Sequence, residues 1–439
     1  MMNRIQIYNF GPIKYASVNL EKRMQTYIGA QASGKSTICR VVYFCQKIRD
    51  YTLDFLMDSE QFISNHRNEY FNNYLKYLTR QFMGCFGKTT HMQKFKIAYC
   101  FGDKQITITL NQDGFIRFVF DEQLKNCIYA LTGDASQVFL GGMNNSIEGS
   151  VIDQLSALVM LKQQFRSRLC VLFDNESEII YIPAGRSLLA TMSEQLHDLS
   201  ISDMDLTMQD FINLIRNTKS RFGSKIPEIV KNYTKTVKGQ INNESLALAY
   251  EMIKQILKAD YASESDGEKI YFDERHWVKL MYGSSGQQEV LWILMLIFVI
   301  ILERRKNFVI IEEPEAHLFP AAQKRVVELI ALMINTTDSK VIITTHSPYI
   351  LTSLNILLYS DKVENGRRGK GQAVVPRNLR ISYDVFDAFK VERTSGKENT
   401  ESLMDKESHM ISTDYIDEVS AVTNEELERL MDKEFEWGD

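Results

Sequence analysis

Two glycines, a lysine and two hydroxyl residues stand at fixed spacing in GAQASGKST, Gly29 to Thr37. The pattern is GxxxxGK[ST]. Glycines at these positions let the backbone wrap closely round an oxyanion so that successive N–H groups point inward, and a following helix adds its positive N-terminal end. Gly29, Ala30, Gln31, Ala32, Ser33, Gly34, Lys35, Ser36 and Thr37 are therefore read as one phosphate cradle. In it Lys35 reaches the β- and γ-phosphates of ATP and Ser36 is a ligand of Mg2+. A chance glycine-rich turn would fit the same letters, but a strand pattern precedes this stretch and a helical pattern follows it.

In NFVIIEEPEAHLFP, four apolar residues, Phe308 to Ile311, run directly into Glu312 and Glu313. A strand end reaching solvent would account for two charges. Beside a phosphate cradle they acquire a task, because a nucleotide needs its metal held and its attacking water oriented. An apolar strand ending in acids supplies both at the C-terminal edge of a sheet. Glu312 is expected to hold Mg2+ through water, and Glu313 to polarise the attacking water. Two further stretches are less telling alone. YGSSGQQ places Ser284, Ser285 and Gly286 at a helix start, which suits an anion or an ordinary N-cap. TTHSP puts His346 at the end of an apolar strand, where a histidine is commonly a hydrogen-bonded core residue.

Their order along the chain is informative. Cradle, Ser-Gly-Gln helix start, strand-Glu-Glu-Pro and strand-His together resemble the ABC-type ATPase head, with its Walker A, signature, Walker B and H-loop motifs. IYNFGPIK, YIPAGR, SSGQQ and IEEPEAHLFP are similar to the OLD-like and SMC-like branch, which includes ATPase subunits of anti-phage systems such as Septu and PARIS. The resemblance implies a homodimer with ATP sandwiched between protomers. Lys35, Ser36, Glu312, Glu313 and His346 of one copy would face Ser284 and Gly286 of the other, with Ser285 an alternative to Ser284. His346 would contact the γ-phosphate or the water, and Ala316 to Phe319 would lie at the dimer seam. Asn9, Phe10 and Lys14 lie where such heads approach the nucleotide. The sequence departs from the family in having Glu312 for the usual aspartate and GSSGQ for the usual signature. Arg186 could contact nucleotide or partner, or form a structural salt bridge.

The elements that must position these residues follow a mixed pattern. Strands are expected at Arg4–Phe10 and Met24–Gly29, a helix from Gly34 to Ile48, an antiparallel meander between Lys88 and Phe120, a helix before Phe165, and a strand ending at Pro183. From Asp203 to Lys258 the pattern is helical with breaks at Gly223 and Pro227, and too interrupted for a long coiled coil. Two strands around EKIYF and WVKLMY, the Glu-Glu strand, a helix from Ala321 to Met333 and the strand before His346 complete the head. The expected fold is α/β: an ABC-type P-loop ATPase head with a mixed sheet core, an antiparallel β subdomain and a helical insertion. Residues 1–186 and 263–360 form the head, 187–262 the insertion, and 361–439 an extension with an exposed basic loop (Lys362, Arg367, Arg368, Lys370, Arg377, Arg380) and an acidic tail.

The bulk numbers narrow the function classes. A net charge of −5 over 439 residues gives no global reason to expect a nucleic-acid binder, although the basic loop could touch DNA. The six cysteines form no CxxC pair, which favours free thiols in a reducing compartment. The apolar run Val290–Leu302 is shorter than the roughly 20 residues of a membrane span and reads as a buried helix, so a cytoplasmic protein is expected. The OLD family carries a nuclease after its ATPase. Here no acidic DxD cluster follows His346, so a separate effector protein is expected. The leading expectation is an ATPase acting as a dimeric switch on a nuclease or toxin in anti-phage defence. The alternative is an SMC- or RecF-like DNA maintenance ATPase. A membrane-transporter ATPase fits less well, given the departures in the signature.

Overall fold

The computed structural model describes residues 3–63, 69–89, 92, 94–144, 151–191, 204–236, 243–364, 373–393 and 398–412. The acidic tail beyond 412, Arg367, Arg368 and Lys370 of the basic loop, and parts of the helical insertion lie outside the described residues.

The chain opens with a hairpin, β1 (Arg4–Phe10) and β2 (Ile13–Asn19), in which Ile5, Ile7, Ala16 and Val18 are buried. β3 (Met24–Ile28) is buried at every position, as a strand covered on both faces must be. α1 (Lys35–Met57) runs a full nine residues past Ile48 because Tyr51, Leu53, Phe55 and Leu56 prolong its buried side. After α2 (Glu60–Ile63) and α3 (Tyr70–Phe86) comes the meander β4 (Lys96–Phe101), β5 (Lys104–Leu110) and β6 (Ile116–Phe120). It joins the opening hairpin in one five-stranded antiparallel sheet, ordered β2-β1-β4-β5-β6. Two long helices, α4 (Glu122–Asn144) and α5 (Val151–Leu172), lead to β7 (Glu178–Ile182).

The insertion holds α6 (Ser187–Thr191), α7 (Leu206–Lys219), α8 (Ile226–Thr236) and α9 (Asn243–Leu257). Asp205 caps α7 by accepting from the amides of Thr207 and Met208, and Gly223 and Pro227 fall at the junction with α8. A small antiparallel sheet follows: β8 (Asp260–Glu264), β9 (Gly267–Tyr271) and β10 (Trp277–Lys279). It has three strands where the sequence suggests two, since DYASE carries too little alternation to stand out. Then come α10 (Ser285–Glu303), β11 (Asn307–Glu312), α11 (Pro320–Thr336), β12 (Lys340–Thr345) and α12 (Pro348–Glu364). Last are β13 (Phe386–Val391), β14 (Thr400–Ser402), β15 (Met404–Asp405) and β16 (Met410–Ile411).

The central sheet is six-stranded, ordered β14-β13-β3-β12-β11-β7, with every strand but β14 parallel. Alternation divides its side chains between two cores. Met24, Ile28, Val309, Ile311, Val341 and Ile343 pack with α9 to α12. Tyr27, Phe308, Ile310 and Ile342 pack with α1 and the antiparallel sheet. α10 lies inside the first core, burying every residue from Val290 to Leu302 except the half-buried Val299. Its apolar composition is thereby accounted for by packing.

Two features of the C-terminal part differ from the sequence reading. β13 is an unexpected member of the central sheet, in register beside β3. The basic stretch is not simply an exposed loop. Lys362 donates to the carbonyls of Glu407 and Ser408, and Arg380 is buried against Glu364 and the Val375 carbonyl, whereas Arg377 is exposed.

Candidate active site

The parallel strands deliver the chemistry-bearing residues to one edge. β3, β11 and β12 run side by side in the same direction, so the loops after Ile28, Glu312 and Thr345 emerge together. The glycine-rich loop turns through Ala32 (φ 59°) and Gly34 (φ 112°), the latter a value that only glycine adopts freely. Gly34 is the N-cap of α1 and brings no side chain to cap it, which leaves first-turn N–H groups for an anion.

Lys35 is 5% exposed, and its Nζ donates to the carbonyls of Gly29 (2.8 Å) and Ala30 (3.0 Å). It also lies 3.4 Å from His346 Nδ1, while His346 Nε2 is 3.1 Å from Glu313 Oε1. An ammonium can only donate, so Nδ1 is the acceptor and the ring proton sits on Nε2, donating to Glu313. Desolvation lowers the pKa of Lys35, and the charges of Glu313, Glu315 and Glu312 oppose that shift.

Glu312 is 4% exposed; its Oε2 accepts from the amide of Ala184 at 3.2 Å, and the Tyr181 hydroxyl lies beside the carboxylate. A buried carboxylate met only by neutral donors keeps an uncompensated charge, and a cation beside it removes the cost. Ser36 is exposed in the first turn of α1. This oxygen-only donor pair fits Mg2+, which takes few protein ligands and completes its shell with phosphates and water. Glu313 adopts φ 45°, and its amide donates to the Thr344 carbonyl at 2.9 Å.

At the other proposed motif, Ser284 is the N-cap of α10 and forms a reciprocal capping box with Gln287. Ser285 is the first helical residue, and both serines are exposed. Gly286 packs against the turn after Glu313, where an added Cβ would lie 2.7 Å from the His317 carbonyl. Among the described residues, no hydrogen bond joins Ser284 or Ser285 to Lys35, Glu313 or His346. Phe10 is 2% exposed within an aromatic cluster of Phe82, Phe86 and Phe95, so it is a core residue not available to a nucleotide.

The sequence signature of the AAA ATPase domain family matches residues 1–219 and 171–351, a span that holds the cradle, the acidic strand end and His346. The chain belongs to the AAA ATPase domain family. It is an ATPase-type P-loop NTPase. Among curated proteins none is similar enough to match. The fold is similar, at low identity, to solved SMC heads. One is an Smc head bound to the C-terminal winged-helix domain of ScpA (12% identity, TM-score 0.38, covering 93% of this chain and 98% of that chain). Another is the SMC head domain from Thermotoga maritima (11%, 0.32, 80% and 91%). A third is the Smc head with an extended coiled coil bound to the C-terminal domain of ScpA, derived from Pyrococcus furiosus (13%, 0.39, 92% and 96%).

Two residues of this AAA ATPase domain, Glu315 and Glu289, acquire a place that the sequence reading did not give them, and Arg186 takes one of the alternatives it offered. Glu315 Oε1 accepts from both the Thr345 hydroxyl and the His346 amide, each at 2.7 Å, and so fixes the loop that carries the imidazole. Arg186, for which contact with nucleotide or partner stood beside a salt bridge, is fully buried and paired with Glu289 at 3.4 Å. Glu289 itself had a signal. It opens an otherwise apolar run in α10, and a buried carboxylate there requires a cationic or hydrogen-bonding partner.

Proposed function

We propose that this AAA ATPase domain hydrolyses ATP at composite sites between two copies of the chain, and that nucleotide-driven closure switches a separate effector, a nuclease or toxin, in anti-phage defence. The observation that carries the ATPase reading is the line Lys35–His346–Glu313 beside the buried carboxylate of Glu312. The role in defence rests on the sequence resemblance alone.

Lys35 is held by two loop carbonyls. Incoming β- and γ-phosphates offer stronger, charged acceptors and draw the ammonium off them. Mg2+ held by Ser36 and Glu312 would neutralise charge on those phosphates. His346, donating through Nε2, holds one oxygen of Glu313, leaving the other to take the proton of the attacking water. Lys35 and the first-turn amides of α1 steady the charge that develops on the phosphoryl oxygens. The Ser284–Gly286 end of α10 of a second copy, with both serines exposed, would close the site from the far side of the γ-phosphate.

The test is Glu313→Gln. It should bind ATP, accumulate as a dimer by light scattering, and turn over at least about 100-fold more slowly, the low end of what a positioned general base contributes. Turnover and oligomeric state equal to wild type would remove Glu313 from the chemistry. For the switch, co-purification with an effector supports the reading. DNA-stimulated turnover with no such partner would point instead to a DNA maintenance head.

A further inference from the structure

Arg186 is 0% exposed, and its guanidinium joins three segments. Nε donates to the Glu289 carbonyl (2.8 Å) in α10. Nη1 donates to the carbonyls of Pro183 and Glu312 (2.6 Å each), and Nη2 to the Glu313 carbonyl (2.9 Å). The Glu289 carboxylate answers by accepting the amides of Arg186 and Ser187, each at 3.1 Å. Burial lowers the pKa of Arg186, and the charge of Glu289 opposes this. Apolar residues of similar volume would hold three segments together at least as well as a desolvated ion pair. The guanidinium instead provides a rigid planar fork whose donors tie the backbone of Glu312 and Glu313 to that of Pro183 and Glu289.

Glu289 lies one helical turn beyond Ser285 and Gly286, so it moves with the anion-facing end of α10. Glu313 has its backbone in the left-handed region (φ 45°), and its carbonyl is one of the groups Arg186 holds. We infer that Arg186 and Glu289 form the positioning link through which engagement of the N-terminal end of α10 by a second copy's nucleotide sets the carboxylate of Glu313 in the same chain. This inference rests on the composite-site reading above. It makes Arg186 a positioning residue: fully buried, it acts through the backbone of Glu313. Hydrolysis at one site of the pair is thereby tied to occupancy of the other.

The full-length chain tests this with Arg186→Lys and Glu289→Gln. A lysine keeps the charge but cannot hold the Glu289, Glu312 and Glu313 carbonyls in one plane. A glutamine keeps the volume of Glu289 but faces one of the two amides with an N–H2 group. Each should lower kcat by about tenfold or more, leave KM and the affinity for a non-hydrolysable ATP analogue within about threefold, and abolish the rise of specific activity with protein concentration that marks pairing of copies. On a Glu313→Gln background either change should add little, because both act through the same carboxylate. If both variants lower affinity and kcat together, or cost the same factor with and without Glu313, the link is structural only and the inference fails. Should Arg186→Lys not fold, Glu289→Gln carries the test alone. If Glu313→Gln hydrolyses like wild type, the composite-site reading itself fails. If Glu313→Gln is slow while Arg186→Lys and Glu289→Gln are both normal, only the link fails.

Discussion

Lys35 shows how burial sets a chemical threshold. Because desolvation lowers its pKa, its neutral form appears at lower pH than for an ordinary lysine of 10.5. The cation is the form that binds phosphate, so affinity for an ATP analogue, followed by calorimetry, should begin to weaken on an alkaline limb lying below that value. Lys35→Ala should weaken binding at least about tenfold, since hydrogen bonds from a charged donor contribute ~1.5–3 kcal/mol. Glu315→Ala leaves the His346 amide and Thr345 hydroxyl without their acceptor. It should lower kcat with little change in KM, and cost about 1–3 kcal/mol in urea unfolding. The residues legible in the sequence, Lys35, Ser36 and Glu313, belong to short local patterns. For Arg186 the salt bridge stands among the sequence readings but its partner does not, because Glu289 is 103 positions away and nothing local announces the pairing.

Among elements, α10 does two jobs that its sequence displays unequally. Its apolar body is plain; its 19 residues are long and apolar enough to cross a membrane, and it is burial inside the first core that accounts for them. Trp292, 2% exposed in that body, packs edge-on to Tyr261. Trp292→Ala should lower stability by about 3–5 kcal/mol, read as a shift in the urea midpoint at constant slope. The N-terminal end of α10 depends on Gly286 against the His317 carbonyl. Gly286→Val must push the helix start away from the turn after Glu313, and turnover should fall while the fold, judged by circular dichroism, persists. β8 and β13 escaped the sequence reading for a physical reason. A short strand is defined by the neighbour it pairs with, and DYASE and FDAFKV show too little alternation to declare one alone.

At the scale of the molecule, the central sheet is gathered from distant parts of the chain: β3, then β7, then β11 and β12, then β13. The Val391 carbonyl at the end of β13 sits where a side chain on Gly29 would be, so this late strand walls the cradle that the first part of the chain builds. A chain stopped after Asp384 should lose analogue binding even where it stays soluble; full affinity in that truncation would show the wall to be dispensable. Timing during synthesis follows from the same arrangement. A ribosome releases β3 and the cradle early, yet they cannot be walled until Val391 has cleared the exit tunnel. Half-made chains are thereby kept from capturing fuel before the machine that would spend it exists.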